Sequence, residues 1–182
     1  ARAHHLGYHL DGARLFNALV ADRERPEDYG RLFDSISICL SKGLGAPVGS
    51  VLLGSKDFIT EARRIRKRLG GGMRQAGYLA AAGIYALDHH VDRLAEDHAR
   101  AAALAAFMKD LPYVAELKPS PTNMVLFRLA EGLDGSELLA HLEASGVRLI
   151  AMDRHWLRAV LHYDVGDAEV GLLRDGLAAW AG

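Results

Sequence analysis

Asp11 with Arg14, the run Ser41-Lys42-Gly43, and Arg158 each stand at or just beyond a short apolar segment. In open α/β sheets the binding crevice lies outside the carboxyl ends of the strands, so polar residues delivered there are candidates for chemistry. A lysine amine can condense with an aldehyde cofactor, and a carboxylate can hold a proton on a pyridine nitrogen. Those are the two requirements of pyridoxal phosphate (PLP) chemistry, in which the protonated ring serves as an electron sink. Glycines beside the lysine let backbone and cofactor approach closely. On spacing alone, a solvated loop is the commoner outcome for a strand-end aspartate and a lysine.

The elements that must position these groups can be read in order. Leu6 to Leu10 is a short apolar strand running into Asp11-Gly12-Ala13-Arg14, and Ala13 to Ala21 follows as a helix. Asp34 to Leu40, rich in β-branched residues, predicts a second strand ending at Ser41-Lys42-Gly43. Pro47 and nearby glycines break the chain before a third strand, Ser50 to Leu53. Apolar strands alternating with helical pattern predict an α/β fold with a mostly parallel sheet covered on both faces. From Asp57 to Leu69 the apolar period is helical, and Met73 to Leu111 predicts two helices with a break near His89-His90. Prolines 112, 119 and 121 mark a boundary. Beyond them the pattern predicts strands at Met124–Leu129, Val147–Ala151 and Leu157–Tyr163, and helices at Gly135–Ser145 and Asp167–Trp180. Gly146 suits a helix C′ position, and Asp167 is a candidate N-cap.

Composition narrows the function classes. The 182 residues are 50% hydrophobic and 25% charged, as expected of a globular chain. With 22 basic and 23 acidic residues there is no basic excess to recommend a nucleic-acid or membrane-surface binder. The one basic cluster, Arg63 to Arg68, reads as a solvated helix face at Arg63, Arg64 and Arg68. No apolar run reaches the roughly 18 residues that span a bilayer. The single cysteine, Cys39, leaves no internal disulfide framework and suits a reducing, cytoplasmic setting; it reads as a small buried strand residue.

Several motifs occur in one register: His9-Leu10-Asp11-Gly12-Ala13-Arg14, then Cys39 to Ser50 (CLSKGLGAPVGS), then Gly70-Gly71-Gly72-Met73-Arg74-Gln75-Ala76-Gly77 with Leu79 to Ile84. Pro121-Thr122-Asn123-Met124-Val125 and Arg158 to Val165 (RAVLHYDV) complete the set. Together they make a chain that resembles the low-specificity L-threonine aldolases over nearly its whole length. Motifs in register are far more specific than any one alone.

The resemblance implies a fold-type-I large domain, the PLP-dependent transferase-like fold, followed by a small α+β C-terminal domain. Residues 1–111 would be the C-terminal part of the large domain with its following helices, and residues 112–182 the small domain. It implies Lys42 as the Schiff-base lysine, Asp11 as the partner of the pyridine nitrogen, and Arg14 and Arg158 as the grip on the amino-acid carboxylate, a task suited to the guanidinium fork. Lys67 and Arg74 match positions that reach the cofactor phosphate from a neighbouring subunit, in a homodimer or homotetramer with active sites at the interface. The implied reaction is retro-aldol cleavage of L-threonine or L-allo-threonine to glycine and acetaldehyde. A β-eliminating lyase or phenylserine-type aldolase of the same superfamily is the alternative. Relatives are about twice as long, so these residues are expected to be part of a longer chain and incomplete in isolation. The missing N-terminal half would supply the phosphate loop and the ring-stacking histidine.

Nine histidines raise the question of a metal. His5 and His9 would share one face of the first strand without a third ligand, so no metal site is expected. His89, His90 and His98 read as surface residues. His155 and Trp156 fall in a loop, and His162 resembles a family residue that packs near Arg158.

Overall fold

Isoleucines alternating with small polar residues make Ser35–Cys39 the central strand of the first sheet, β2, with Ile36 and Ile38 turned into the core. Strand β1 (His9–Asp11) runs parallel to it, in a register that sets His9 beside Ser35 and Asp11 beside Ser37. Parallel neighbours need a crossover. Helices α1 (Leu15–Asp22) and α2 (Pro26–Leu32) supply it, and Leu15 and Leu19 pack on the two isoleucines. Strand β3 (Ser50–Gly54) returns antiparallel to β2 after a loop, so this sheet holds one parallel and one antiparallel pairing.

Helix α3 (Lys56–Arg68) starts at Ser55, whose hydroxyl accepts from the Phe58 N–H at 3.3 Å. Helix α4 (Gly77–His89) follows the glycine turn. Helix α5 (Leu94–Met108) begins after the expected break near His89-His90.

The computed structural model describes residues 1–181, in two compact units, Ala1–Asp92 and Arg93–Gly182. Ala101, Leu104 and Met108 of α5 are buried in the second unit's core. In that unit β4 (Val114–Leu117), β5 (Met124–Leu129), β7 (Trp156–Val160) and β6 (Ile150–Ala151) form an antiparallel sheet in that spatial order. Helices α5, α6 (Gly135–Ala144) and α7 (Asp167–Ala179) share its apolar core with Val125, Phe127, Leu129 and Leu157.

Several expectations are corrected. The first strand begins at His9, not Leu6, and His5 adopts a left-handed conformation outside it, so the two histidines do not share a strand face. The strand expected over Val147–Ala151 shortens to two residues. Asp167 is not the cap of the last helix: Gly166 takes that place, its N–H bonded to the Glu169 carboxylate, while Asp167 lies 2.6 Å from Arg100 Nε. Arg100 and Arg93 in turn flank the fully buried Asp97. Of the surface histidines, His89 is exposed, but His90 and His98 are partly buried. Burial pushes the His98 imidazole below its usual range, with Asp97 opposing. Gly146 has φ of +78°, as expected for a C′ glycine.

Candidate active site

Because β1 and β2 are parallel, their carboxyl ends emerge at the same edge of the sheet. Asp11 is the last residue of β1, and Lys42 follows β2 by three residues, so one sheet edge carries both. Asp11 is exposed, and its Oδ1 accepts the Ala13 N–H at 3.2 Å, which turns the chain toward α1. Gly12 makes the turn possible. Its N–H donates to the Ser37 carbonyl at 2.8 Å, and a Cβ there would stand 2.9 Å from that same oxygen.

The lysine sits on a closed loop. Gly45 N–H donates to the Lys42 carbonyl at 2.9 Å and Ala46 N–H to the Leu40 carbonyl at 3.0 Å. Leu40, Gly43, Leu44 and Ala46 are buried, whereas Ser41 and Lys42 face solvent. Burying the flanks and exposing the amine gives Lys42 a fixed base and a free end. Arg14, at the start of α1, lines a small crevice with Cys39, Gly43 and Leu44. Asp11 and Arg14 thus flank the turn after β1, and Lys42 lies on the loop that follows the neighbouring strand.

Lys67 and Arg74 belong to different elements. Lys67 is in the last turn of α3, and Arg74 is exposed in the turn before α4. Gly70, between them, has φ of +84°, and Gln75, just after Arg74, has +49°. The Lys67 side chain is laid over Gly72, where a Cβ would meet its Cδ at 2.5 Å and its Nζ at 3.1 Å. The glycine turn therefore draws the ammonium toward the segment that carries Arg74.

Arg158 is at the centre of β7, opposite Leu126 of β5. Leu157 and Ala159 point into the core, so alternation turns Arg158 to the other face of that sheet. Its Nε is buried and makes no hydrogen bond. A buried guanidinium nitrogen without an acceptor is a standing desolvation cost, and an anionic ligand would relieve it. The Asp164 N–H donates to His162 Nδ1 at 3.4 Å, and the His155 ring bonds the Leu133 carbonyl at 3.1 Å.

Two residues escaped sequence reasoning as site supports. Asn123, fully buried, donates through Nδ2 to the Leu161 carbonyl at 2.6 Å, and its backbone carbonyl accepts the Leu161 N–H at 2.8 Å. That stitch fixes the β5–β7 register that presents Arg158. Its only signal was its place in the Pro-Thr-Asn motif. His90 reaches the carbonyl of Leu44 in the lysine loop at 2.7 Å. A histidine 48 positions from the lysine in sequence gave no local cue.

The β-eliminating lyase family model matches residues 1–131. The low-specificity L-threonine aldolase of Escherichia coli strain K12 is 45% identical over 164 residues, which is 90% of this chain and 48% of the relative. Low-specificity L-threonine aldolase 1 of Arabidopsis thaliana is 39% identical over 173 residues, 93% of this chain and 48% of its own length. The chain thus spans about half the length of the curated relatives it matches. The solved threonine aldolase of Leishmania major superposes with a TM-score of 0.76 at 23% identity, covering 97% of this chain and 52% of that one, which establishes likeness of fold.

Proposed function

Because the chain belongs to the β-eliminating lyase family and has the fold-type-I architecture, we propose that its protein is a PLP-dependent aldehyde-lyase cleaving L-threonine or L-allo-threonine to glycine and acetaldehyde. The observation that carries this reading is the parallel β1–β2 pair, whose shared edge holds both the carboxylate of Asp11 and the amine of Lys42. The residues fit the cofactor: an exposed amine on a rigid loop, a carboxylate on the adjacent strand, and a glycine that lets the backbone turn closely between them.

When bound, the cofactor supplies an aldehyde for attachment and a ring that accepts an electron pair. Lys42 provides the amine that tethers it. Asp11 keeps a proton on the ring nitrogen, through the attraction between a carboxylate and a pyridinium. Lys67 and Arg74 set cationic charge for the phosphate. Arg14 and Arg158 are the guanidinium groups for the substrate carboxylate, and the unsatisfied Arg158 Nε supports that role. Holding the carboxylate, which does not react, orients the bond that does.

Assembly with further copies of the chain belongs to the same proposal. Helices α3 and α4 expose Phe58, Ile65, Tyr78, Ile84 and Tyr85, and apolar surface of that extent marks an interaction face. Lys67, on α3, would then serve a neighbouring subunit's cofactor. Among the described residues no helix is long and apolar enough to cross a membrane; the proposed setting is cytoplasmic.

Lys42→Ala in the full-length protein tests the reading. The wild type is expected to hold PLP with a visible absorption band and to yield glycine with acetaldehyde, and the variant to lose both. A keto acid and ammonia as products would instead identify an eliminating lyase.

A further inference from the structure

We propose that His90 is a positioning residue for Lys42, acting through the backbone of the lysine loop. This rests on the reading of Lys42 as the cofactor-bearing amine. Helix α4 meets the loop at two points, two residues to either side of Lys42. On one flank Gly83 is pressed on Leu40, so closely that a Cβ on the glycine would lie 2.9 Å from Leu40 Cδ1. On the other, His90 Nδ1 lies 2.7 Å from the Leu44 carbonyl oxygen. A carbonyl can only accept, so Nδ1 carries the proton, and it does so in both the neutral and the charged ring.

The histidine is itself well anchored. Its backbone N–H donates to the Ala86 carbonyl at 2.9 Å, closing the last turn of α4. Its ring stands edge-on to Tyr85 with centroids 5.5 Å apart. Between the two α4 contacts the loop carries its own bonds, Gly45 to Lys42 and Ala46 to Leu40, and the Leu40 N–H donates to the Gly49 carbonyl. Those bonds fix the shape of the loop. Gly83 and His90 fix where that shape sits. Leu44 is buried, so losing the imidazole would strand its carbonyl without this partner.

The test compares His90→Leu, which removes the donor, with His90→Asn, which returns an amide N–H near the place of Nδ1, in the full-length protein. PLP affinity of the apoprotein and the pH midpoint of the visible band are measured, together with amide exchange at Gly45 and Ala46. The leucine variant is expected to bind PLP about fivefold more weakly, the scale of one net hydrogen bond, to shift the midpoint, and to exchange those amides faster. The asparagine variant should stay within about twofold of wild type on the same scale. Gly83→Ala, which disturbs the opposite flank, should weaken PLP binding in the same direction and covers the case of a leucine variant that fails to fold. Wild-type affinity and midpoint in a folded His90→Leu, or an asparagine variant as impaired as the leucine one, would overturn the proposal, and where the leucine variant does not fold, wild-type affinity and midpoint in Gly83→Ala would do so. A visible band that survives Lys42→Ala would instead overturn the lysine assignment, and the exchange at Gly45 and Ala46 would still report on His90.

Discussion

The backbone N–H of Gly12 donates a 2.8 Å hydrogen bond to the carbonyl of Ser37, and this bond ties the turn after Asp11 to the strand that leads to Lys42. No side chain could occupy that turn unchanged. A Cβ on Gly12 would lie 2.9 Å from the Ser37 oxygen and 3.3 Å from both Ile36 Cγ2 and Leu15 Cβ.

Gly12→Ala is accordingly expected to push β1 and β2 apart at their carboxyl ends. The clash is with backbone and core atoms that cannot rotate away, so the cost should be about 1–3 kcal/mol, as for overpacking elsewhere. Asp11 and Arg14 flank the glycine, so PLP affinity should fall along with stability. Urea unfolding and PLP titration of the variant measure the two effects. If neither moves, the close approach at Gly12 is not what aligns the strand ends.

Gly72→Ala separates site from stability. The atoms in the way are those of the Lys67 side chain, which is long, flexible and exposed and can swing aside. Folding stability should change by no more than about 0.5 kcal/mol, the usual range for a surface site. The ammonium would nevertheless leave its place over the turn. If Lys67 serves the cofactor phosphate, the variant binds PLP more weakly but binds pyridoxal, which lacks the phosphate, as the wild type does. An equal loss for both ligands would remove Lys67 from that role.

What the sequence made legible follows from how local each signal was. β5 was readable to the residue because Val125, Phe127 and Leu129 alternate with the outward Met124, Leu126 and Arg128. The break between α4 and α5 was likewise visible in the periodicity. Helix α2 was not anticipated, although Pro26 at its first turn and Glu27 and Asp28 behind it are starting signals; seven residues with Gly30 inside show no apolar period. β4 was hidden between prolines. Asp11, Arg14 and Lys42 stand out in the sequence only through motifs, and the parallel pairing brings the strand that ends at Asp11 beside the strand that leads to Lys42. The roles of Gly12, Gly72, Gly83 and His90 depend on which atoms approach across the fold, and no spacing in the chain encodes that.

Tyr113 gives a prediction for the second unit that is independent of any ligand. Its hydroxyl donates to the Leu177 carbonyl at 2.5 Å, and its ring meets Trp180 edge-on at 4.7 Å. Burial pushes the phenol from its usual 10 up to about 12. The folded-state value is the higher one, so the fold favours the protonated form. Its contribution is fully present below about pH 10 and is lost as pH rises toward about 12. Two pKa steps correspond to about 2–3 kcal/mol at most. Tyr113→Phe should cost about 1 kcal/mol near pH 8, where only the hydrogen bond is missing. Between pH 10 and 12 the wild type should lose stability that the variant, with no phenol to ionise, retains, so the gap between them narrows or reverses. Unfolding both proteins in urea at pH 8 and pH 11 isolates the phenol, because every other titrating group is common to the pair. Parallel losses in the two proteins would mean that Tyr113 ionises in the fold no less readily than in the open chain.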